Sequence, residues 1–145
     1  MNITVVIVTF KSNHLIENLI KSIPKEINIL VVENSLSEEL KNKLEKTFDN
    51  VKVYIPEENL GYAKAINYGV NNSSTNYVLC LVADVEIEKN VFQELSNFVT
   101  KFDEFAILSP IYKDLTIYKN YWPITNKEIK KEKVFNNIIF EVRDV

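Results

Sequence analysis

Apolar residues along the chain fall into short blocks separated by amphipathic stretches. Ile3 to Phe10 (ITVVIVTF) is an unbroken, β-branched run, the pattern of a strand covered on both faces as in a parallel sheet. Asn13 stands at a capping position. Leu15, Ile16, Leu19, Ile20 and Ile23 then recur at helical spacing, and Pro24 ends the helix. Asn28 to Val32 (NILVV) reads as a second buried strand. Ser35 and Glu38 have capping-box spacing, ahead of a polar helix to about Thr47 with Leu40 and Leu44 inward. Val51 to Ile55 is a third strand and Pro56 to Leu60 a loop. Gly61 to about Asn71 is a helix with Ala63, Ile66 and Val70 on its apolar side. Asn76 to Val82 is a fourth buried strand. Phe92, Leu95, Phe98, Val99 and Phe102 mark a fourth helix, and Phe105 to Leu108 is a fifth strand stopped by Pro110.

This alternation predicts an α/β fold: an open, mostly parallel sheet with helices on both faces and right-handed crossovers. Beyond Pro110 the pattern weakens. Ile117 to Trp122 is aromatic and reads as extended. Asn126 to Lys133 (NKEIKKEK) reads as a solvated helix face or loop, and Val134 to Val142 as a last strand. The ending at Asp144 and Val145, with neither a capping helix nor a polar tail, suggests a domain cut partway. Tyr118, Tyr121 and Trp122 would then lie on a surface meant to be covered, which would promote self-association.

In open α/β sheets ligands bind beyond the carboxyl ends of the strands. The residues there are Thr9–Asn13, Glu33–Ser35, Glu57–Gly61 and Ala83–Glu86, so polar groups gather on one rim. Dinucleotide (G-x-G-x-x-G) and P-loop motifs are absent from the sequence, as is a G-x-S-x-G nucleophile elbow. A phospho-receiver domain would need acidic residues after the first strand, where Thr9 and Phe10 stand.

Composition narrows the field further. The 145 residues make one domain, and the 46% hydrophobic content excludes disorder as the main state. With 17 Lys and Arg against 20 Asp and Glu, the net charge of −3 argues against a nucleic-acid partner gripped by bulk charge. The lone cysteine, Cys80, lies in an apolar run and reads as a buried core thiol. His14, the one histidine, has no Cys or His partner for zinc. No apolar stretch approaches the roughly 18 residues of a membrane span, and no basic segment precedes an apolar one at the N-terminus. A cytoplasmic protein is the expectation. All basic residues but Arg143 are lysine, which fits an AT-rich bacterial genome. A chain of this length ordinarily carries about ten glycines. This one has two, Gly61 and Gly69, both in one short segment.

That segment, ENLGYAKAINYG, is one of four pieces that occur in order, with VVIVTFKS, ILVVENS and YVLCLVADVEIE. In this order and spacing they resemble the family 2 glycosyltransferases of the GT-A fold, particularly the bacterial rhamnosyltransferase-like branch, over residues 2–110. The resemblance implies a fold of the nucleotide-diphospho-sugar transferase type. Residues 1–109 would be the donor-binding half, and 110–145 the incomplete beginning of an acceptor-side region.

The resemblance also assigns site residues. Thr9 and Phe10 would border the nucleobase, with the Phe10 ring to stack on. Glu33 matches the position where relatives usually carry an aspartate that reads the base or ribose, and is one methylene longer. Asn34 would hydrogen-bond nearby or shape the turn. Asn59 and Gly61 open the third helix, whose free N–H groups suit a diphosphate, with Lys64 one turn in. Asn67 and Gly69 match the family's second Asn and Gly, and Asn67 would contact the ligand or hold the loop after the fourth strand. Asp84 matches the last acid of the family's D-x-D signature, which holds a divalent metal, Mg2+ or Mn2+, against the donor's diphosphate. The first position of that signature is Val82 here, and Glu86 beyond it reads as a surface residue.

The implied activity is transfer of a sugar from a nucleotide-sugar donor to an acceptor hydroxyl with inversion. The acceptor would be a glycan or lipid-linked precursor in bacterial surface glycan synthesis. That role leaves room for peripheral contact with the inner membrane face. The general base is not identified: Asp114, Glu128, Glu132, Glu141 and Asp144 all stand in unmatched sequence. The alternative is a non-catalytic domain that binds a nucleotide-sugar, or only keeps the fold, without turnover. A third reading is an α/β interaction domain that binds no nucleotide.

Overall fold

The computed structural model describes residues 2–88, 90–101, 108, 130–134 and 137–141. The backbone divides into two compact units, Met1–Phe102 and Asp103–Val145. In the first unit the elements run β1 (Ile3–Thr9), α1 (Asn13–Ser22), β2 (Asn28–Glu33), α2 (Glu38–Thr47), β3 (Val51–Tyr54), α3 (Gly61–Asn71), β4 (Tyr77–Val82) and α4 (Val91–Lys101). The four strands form one sheet in the order β3-β2-β1-β4, and every pair is parallel. The expected α/β architecture is therefore present, with helices on both faces.

The strand periodicity assigns the two faces. Val5 and Ile7 of β1, Ile29 and Val31 of β2, and Val53 of β3 join Ile16, Leu19 and Ile20 of α1 and Leu40 and Leu44 of α2 in the larger core. Phe92 of α4 packs against the same cluster. The alternate positions Val8 and Val32 meet Ala65 of α3, with Tyr54, Leu60, Ile66 and Tyr68 around them. The Tyr54 and Tyr68 rings stack with centroids 3.7 Å apart, fastening the end of β3 to α3. Burial of the Tyr68 ring and the neighbouring Tyr54 push its hydroxyl above the usual tyrosine range.

The buried side of α3 differs from the expected one. Ala63 and Val70 are exposed, and the helix turns Ala65 and Gly69 to the sheet. A Cβ on Gly69 would lie 2.3 Å from Cγ1 of Val6, so the glycine is what lets α3 settle onto β1. A count of apolar positions misses this, because a close contact selects for absence of side chain. At Gly61 the backbone takes a φ of +68°, which calls for glycine, and among the described residues nothing, the fourth strand included, lies within 4 Å of where a Cβ would be.

Three further expectations change. Ser37, not Ser35, caps α2: its side chain accepts from the Leu40 N–H at 3.1 Å. Cys80 is exposed, not buried. On β4, Leu79 and Leu81 face the larger core, and the alternate residues Cys80 and Val82 are exposed. An apolar run alone does not say whether both of a strand's faces are covered. Partial desolvation still pushes the Cys80 thiol above its ordinary range.

In the second unit, Lys130–Val134 is a strand, β5, where a helix face or loop was expected. It pairs antiparallel with β6 (Asn137–Glu141), from Lys130↔Glu141 to Val134↔Asn137. Backbone pairing with the apolar Asn137–Glu141 supplies what the charged KKEK stretch does not show by itself. The strand expected at Phe105–Leu108 lies outside the described residues except for Leu108. So do Asp114, Tyr118, Tyr121, Trp122, Glu128 and Asp144.

Two outcomes follow from this packing. Gly69→Ala should lower stability by about 1 kcal/mol or more in urea unfolding, because Val6 is fully buried and has nowhere to move. The alanine's helix propensity, worth up to about 1 kcal/mol, offsets only part of that strain. An equally stable variant would mean that α3 can lift from β1 at little cost. Cys80 should be alkylated in the native protein without denaturant, with a rate that keeps rising above the pH at which an ordinary thiol has ionised.

Candidate functional site

Parallel register brings the strand ends to a common rim. Thr9 pairs with Glu33, Val8 with Val82, and Val32 with Tyr54. The segments that leave these ends, Phe10–Ser12, Asn34–Ser37, Ile55–Leu60 and Ala83–Asp84, therefore start side by side.

Glu33 is fully buried, and its carboxylate is committed to its own loop. One oxygen accepts from the Ser35 N–H at 3.0 Å and from the Ser35 hydroxyl, and the other accepts from the Ser37 N–H at 2.6 Å. The loop winds around the charge, and Leu36 in its middle takes a φ of 63°. Charge-assisted bonds of this kind are what make a buried carboxylate tolerable. Through Ser37, the same loop also starts α2.

Asn34 is also buried, at 3% exposure. Its N–H donates to the Thr9 carbonyl at 2.9 Å. Its Oδ1 accepts from the Leu60 N–H at 3.3 Å, and its Nδ2 donates to the Gly61 carbonyl at 3.4 Å. Asn59 completes the turn, its Oδ1 accepting from the Gly61 N–H at 2.8 Å. The Leu60 and Gly61 N–H groups at the start of α3 are thus already bonded, which narrows the N-terminal donor set left for a ligand.

Thr9 is 2% exposed, and among the described residues its Oγ1 has no hydrogen-bond partner. Phe10 next to it is 48% exposed, with Lys11 Nζ 5.2 Å from its ring centroid. Lys11 has a φ of 54°, and its N–H donates to Ser35 Oγ at 3.4 Å. Side-chain and backbone bonds thus join Thr9, Glu33, Asn34, Asn59 and Gly61 in one rim with Phe10 at its edge. Lys64, Asn67 and Asp84 are exposed, and among the described residues no hydrogen bond ties them to that network.

Sequence reasoning placed Ser35 and Lys11 on the rim, Ser35 also as a helix cap, but gave neither these two nor Ser37 a role in holding the site. The spacing of two serines directly after an acidic strand end was the available signal for that role in Ser35 and Ser37. Nothing in the sequence pointed to the positive φ of Lys11 or Leu36.

A metal would have little to hold it here. Among the described residues no group of three or more His, Cys, Asp or Glu comes together. Asp84 offers a single carboxylate, and Val82 stands where a second would be expected. That donor set fits an ion that arrives with phosphate oxygens and keeps its waters, as Mg2+ commonly does, and not a cage built by protein alone.

Comparisons with known proteins bear on the family and the fold. The sequence profile of glycosyl transferase family 2 matches residues 4–144. Among solved structures, residues 1–349 of S. aureus TarS superpose with a TM-score of 0.60 at 21% identity, covering 79% of this chain and 40% of that one. A mannosyltransferase from Pyrobaculum calidifontis, solved with GDP-Man and Mn2+, gives a TM-score of 0.60 at 17% identity, over 68% of this chain and 32% of its own. The chain thus spans well under half the length of either structure. No curated protein sequence matches significantly.

The unpartnered Thr9 hydroxyl generates a prediction. An unsatisfied buried hydroxyl costs roughly 1–3 kcal/mol. Thr9→Val should therefore be at least as stable as the parent in urea unfolding. If the hydroxyl serves a ligand, the same variant should bind that ligand more weakly. A marked loss of stability would show that the hydroxyl has a partner in the folded protein.

Proposed function

The chain belongs to glycosyl transferase family 2, and on that basis we propose that residues 1–109 form the nucleotide-sugar binding half of an inverting glycosyltransferase, with 110–145 opening its acceptor-side region. The observation that carries the reading is the rim itself. Of the two strand ends with family-matching residues, the Thr9 carbonyl accepts from the Asn34 N–H, and the Asn34 side chain bonds the Leu60–Gly61 turn at the head of α3, so one residue ties both ends to that turn. This is the place where an open α/β sheet binds its ligand.

In this reading the half-exposed Phe10 offers its ring to the base, and Thr9 Oγ1 is a hydrogen-bonding group awaiting a partner. Glu33 holds the Ser35–Ser37 loop beside them. Lys64, one turn into α3, and the remaining N-terminal amides favour the diphosphate. Asn67 lies further along the exposed side of the helix. Asp84 would hold the divalent ion, Mg2+ or Mn2+, which when bound offsets the negative charge that builds on the diphosphate as it leaves. The acceptor hydroxyl oxygen attacks the anomeric carbon as the bond to the diphosphate breaks on the opposite face, and a general base takes the hydroxyl proton. That base is not assigned. The mannosyltransferase with GDP-Man and Mn2+ supports the donor and ion classes.

A glycan or lipid-linked acceptor, the rhamnosyltransferase-like branch and peripheral contact with the inner membrane face are what the family resemblance implies. No described helix is long and apolar enough to cross a membrane. Val82 in the acid position favours a second reading, a domain that binds a nucleotide-sugar without turning it over. Metal-dependent release of nucleoside diphosphate from the donor separates the two.

The test is a thermal-shift series with UDP, dTDP, GDP and CDP, each with and without Mn2+ or Mg2+. One nucleotide should raise the melting temperature, and only with metal, because a ligand of the folded state stabilises it by mass action. Asp84→Ala, an exposed substitution, should leave the unliganded melting temperature nearly unchanged and abolish the metal-dependent shift. No shift with any nucleotide on folded protein would overturn the donor-site reading.

A further inference from the structure

We propose that Asn34 is a positioning residue: it fixes the head of α3 against the ends of β1 and β2, and acts on the donor through that turn and not by touching it. The proposal rests on the donor-site reading above. Asn34 is 3% exposed, so its amide has almost no surface to offer a ligand. All of its bonding runs to the chain. Through its backbone N–H it joins the Thr9 carbonyl, and through both ends of its side chain it joins the Leu60 N–H and the Gly61 carbonyl. One side chain thus spans 26 and 27 positions of sequence.

The chemistry at this position is narrow. The site needs one acceptor for Leu60 and one donor for Gly61, at the same short reach. Aspartate keeps the acceptor but sets a second oxygen against the Gly61 carbonyl, and alanine removes both groups. Gly61 is also where the backbone takes a positive φ, so the turn is held by side chains that close on it from two sides, Asn34 and Asn59. The next buried sheet contact of α3 is Ala65, a turn further on. The bonds are long, at 3.3 and 3.4 Å, so losing them should loosen the helix start without unfolding the sheet.

The experiment uses the full chain and compares Asn34→Ala and Asn34→Asp with the parent. Amide hydrogen exchange is read without ligand, and affinity for UDP, dTDP, GDP and CDP with Mn2+ is read by titration calorimetry. Exchange at Leu60 and Gly61 should rise about tenfold in the alanine variant, and less in the aspartate variant, which keeps an acceptor for Leu60, while β1 and β2 keep their protection; affinity for the nucleotide the parent binds should fall about tenfold with alanine. Unchanged exchange at Leu60 and Gly61 in the alanine variant would overturn the positioning role, whatever the affinity does. Raised exchange with parental affinity would overturn its bearing on the site and leave the donor reading standing. If the parent binds none of the four nucleotides, the donor reading fails and the role at that site falls with it. Should the alanine variant not fold, the aspartate variant keeps the side-chain volume and carries both measurements.

Discussion

Parallel pairing on both sides of β1 is the constraint from which the rest of the structure follows. A parallel strand needs a crossover on each side, and the crossover helices must cover the sheet. Every residue of β1 is buried as a result, including Thr4 and Thr9. The same pairing points β1, β2, β3 and β4 in one direction, so their polar exits form a single rim. The site is thus a consequence of the topology before any particular side chain is considered.

The rim is where polar groups enter the interior, and they meet three fates. Glu33 is buried as an acid, and the loop it bonds wraps around it. Asn34 is buried as an amide and spends both ends of its side chain on a turn distant in sequence. Thr9 is buried as a hydroxyl and left without a partner. The first two are the usual solution to the cost of burying polar atoms. The third is the kind of local cost that a binding site carries when a ligand supplies the missing bond. Asp84, Lys64 and Asn67 stand outside this framework, exposed and ready for solvent or a charged ligand.

Helix α3 links the smaller core to the site. Gly69 brings it within contact of β1, and the Tyr54–Tyr68 stack fastens it to β3. With the body of the helix fixed, small shifts in its first turn would decide where the Leu60–Ala63 amides point. The two glycines of this segment answer two different demands, close packing at Gly69 and a positive φ at Gly61.

The sequence by itself determined the order of strands and helices to within a residue or two through α4. The cause is local: an unbroken β-branched run can be a buried strand, and leucines at helical spacing can be an amphipathic helix. It also determined which residues stand at the rim, because strand ends are read directly from the chain. Only the tertiary structure decided which of them face inward. Whether Glu33 addresses a ligand or Ser35 and Ser37 depends on a loop with a positive φ at Leu36, and whether Cys80 is covered depends on how far α3 extends across the sheet. The partners of Asn34 lie 26 and 27 residues away, and no local pattern encodes a hydrogen bond that exists only once the two segments have been folded together.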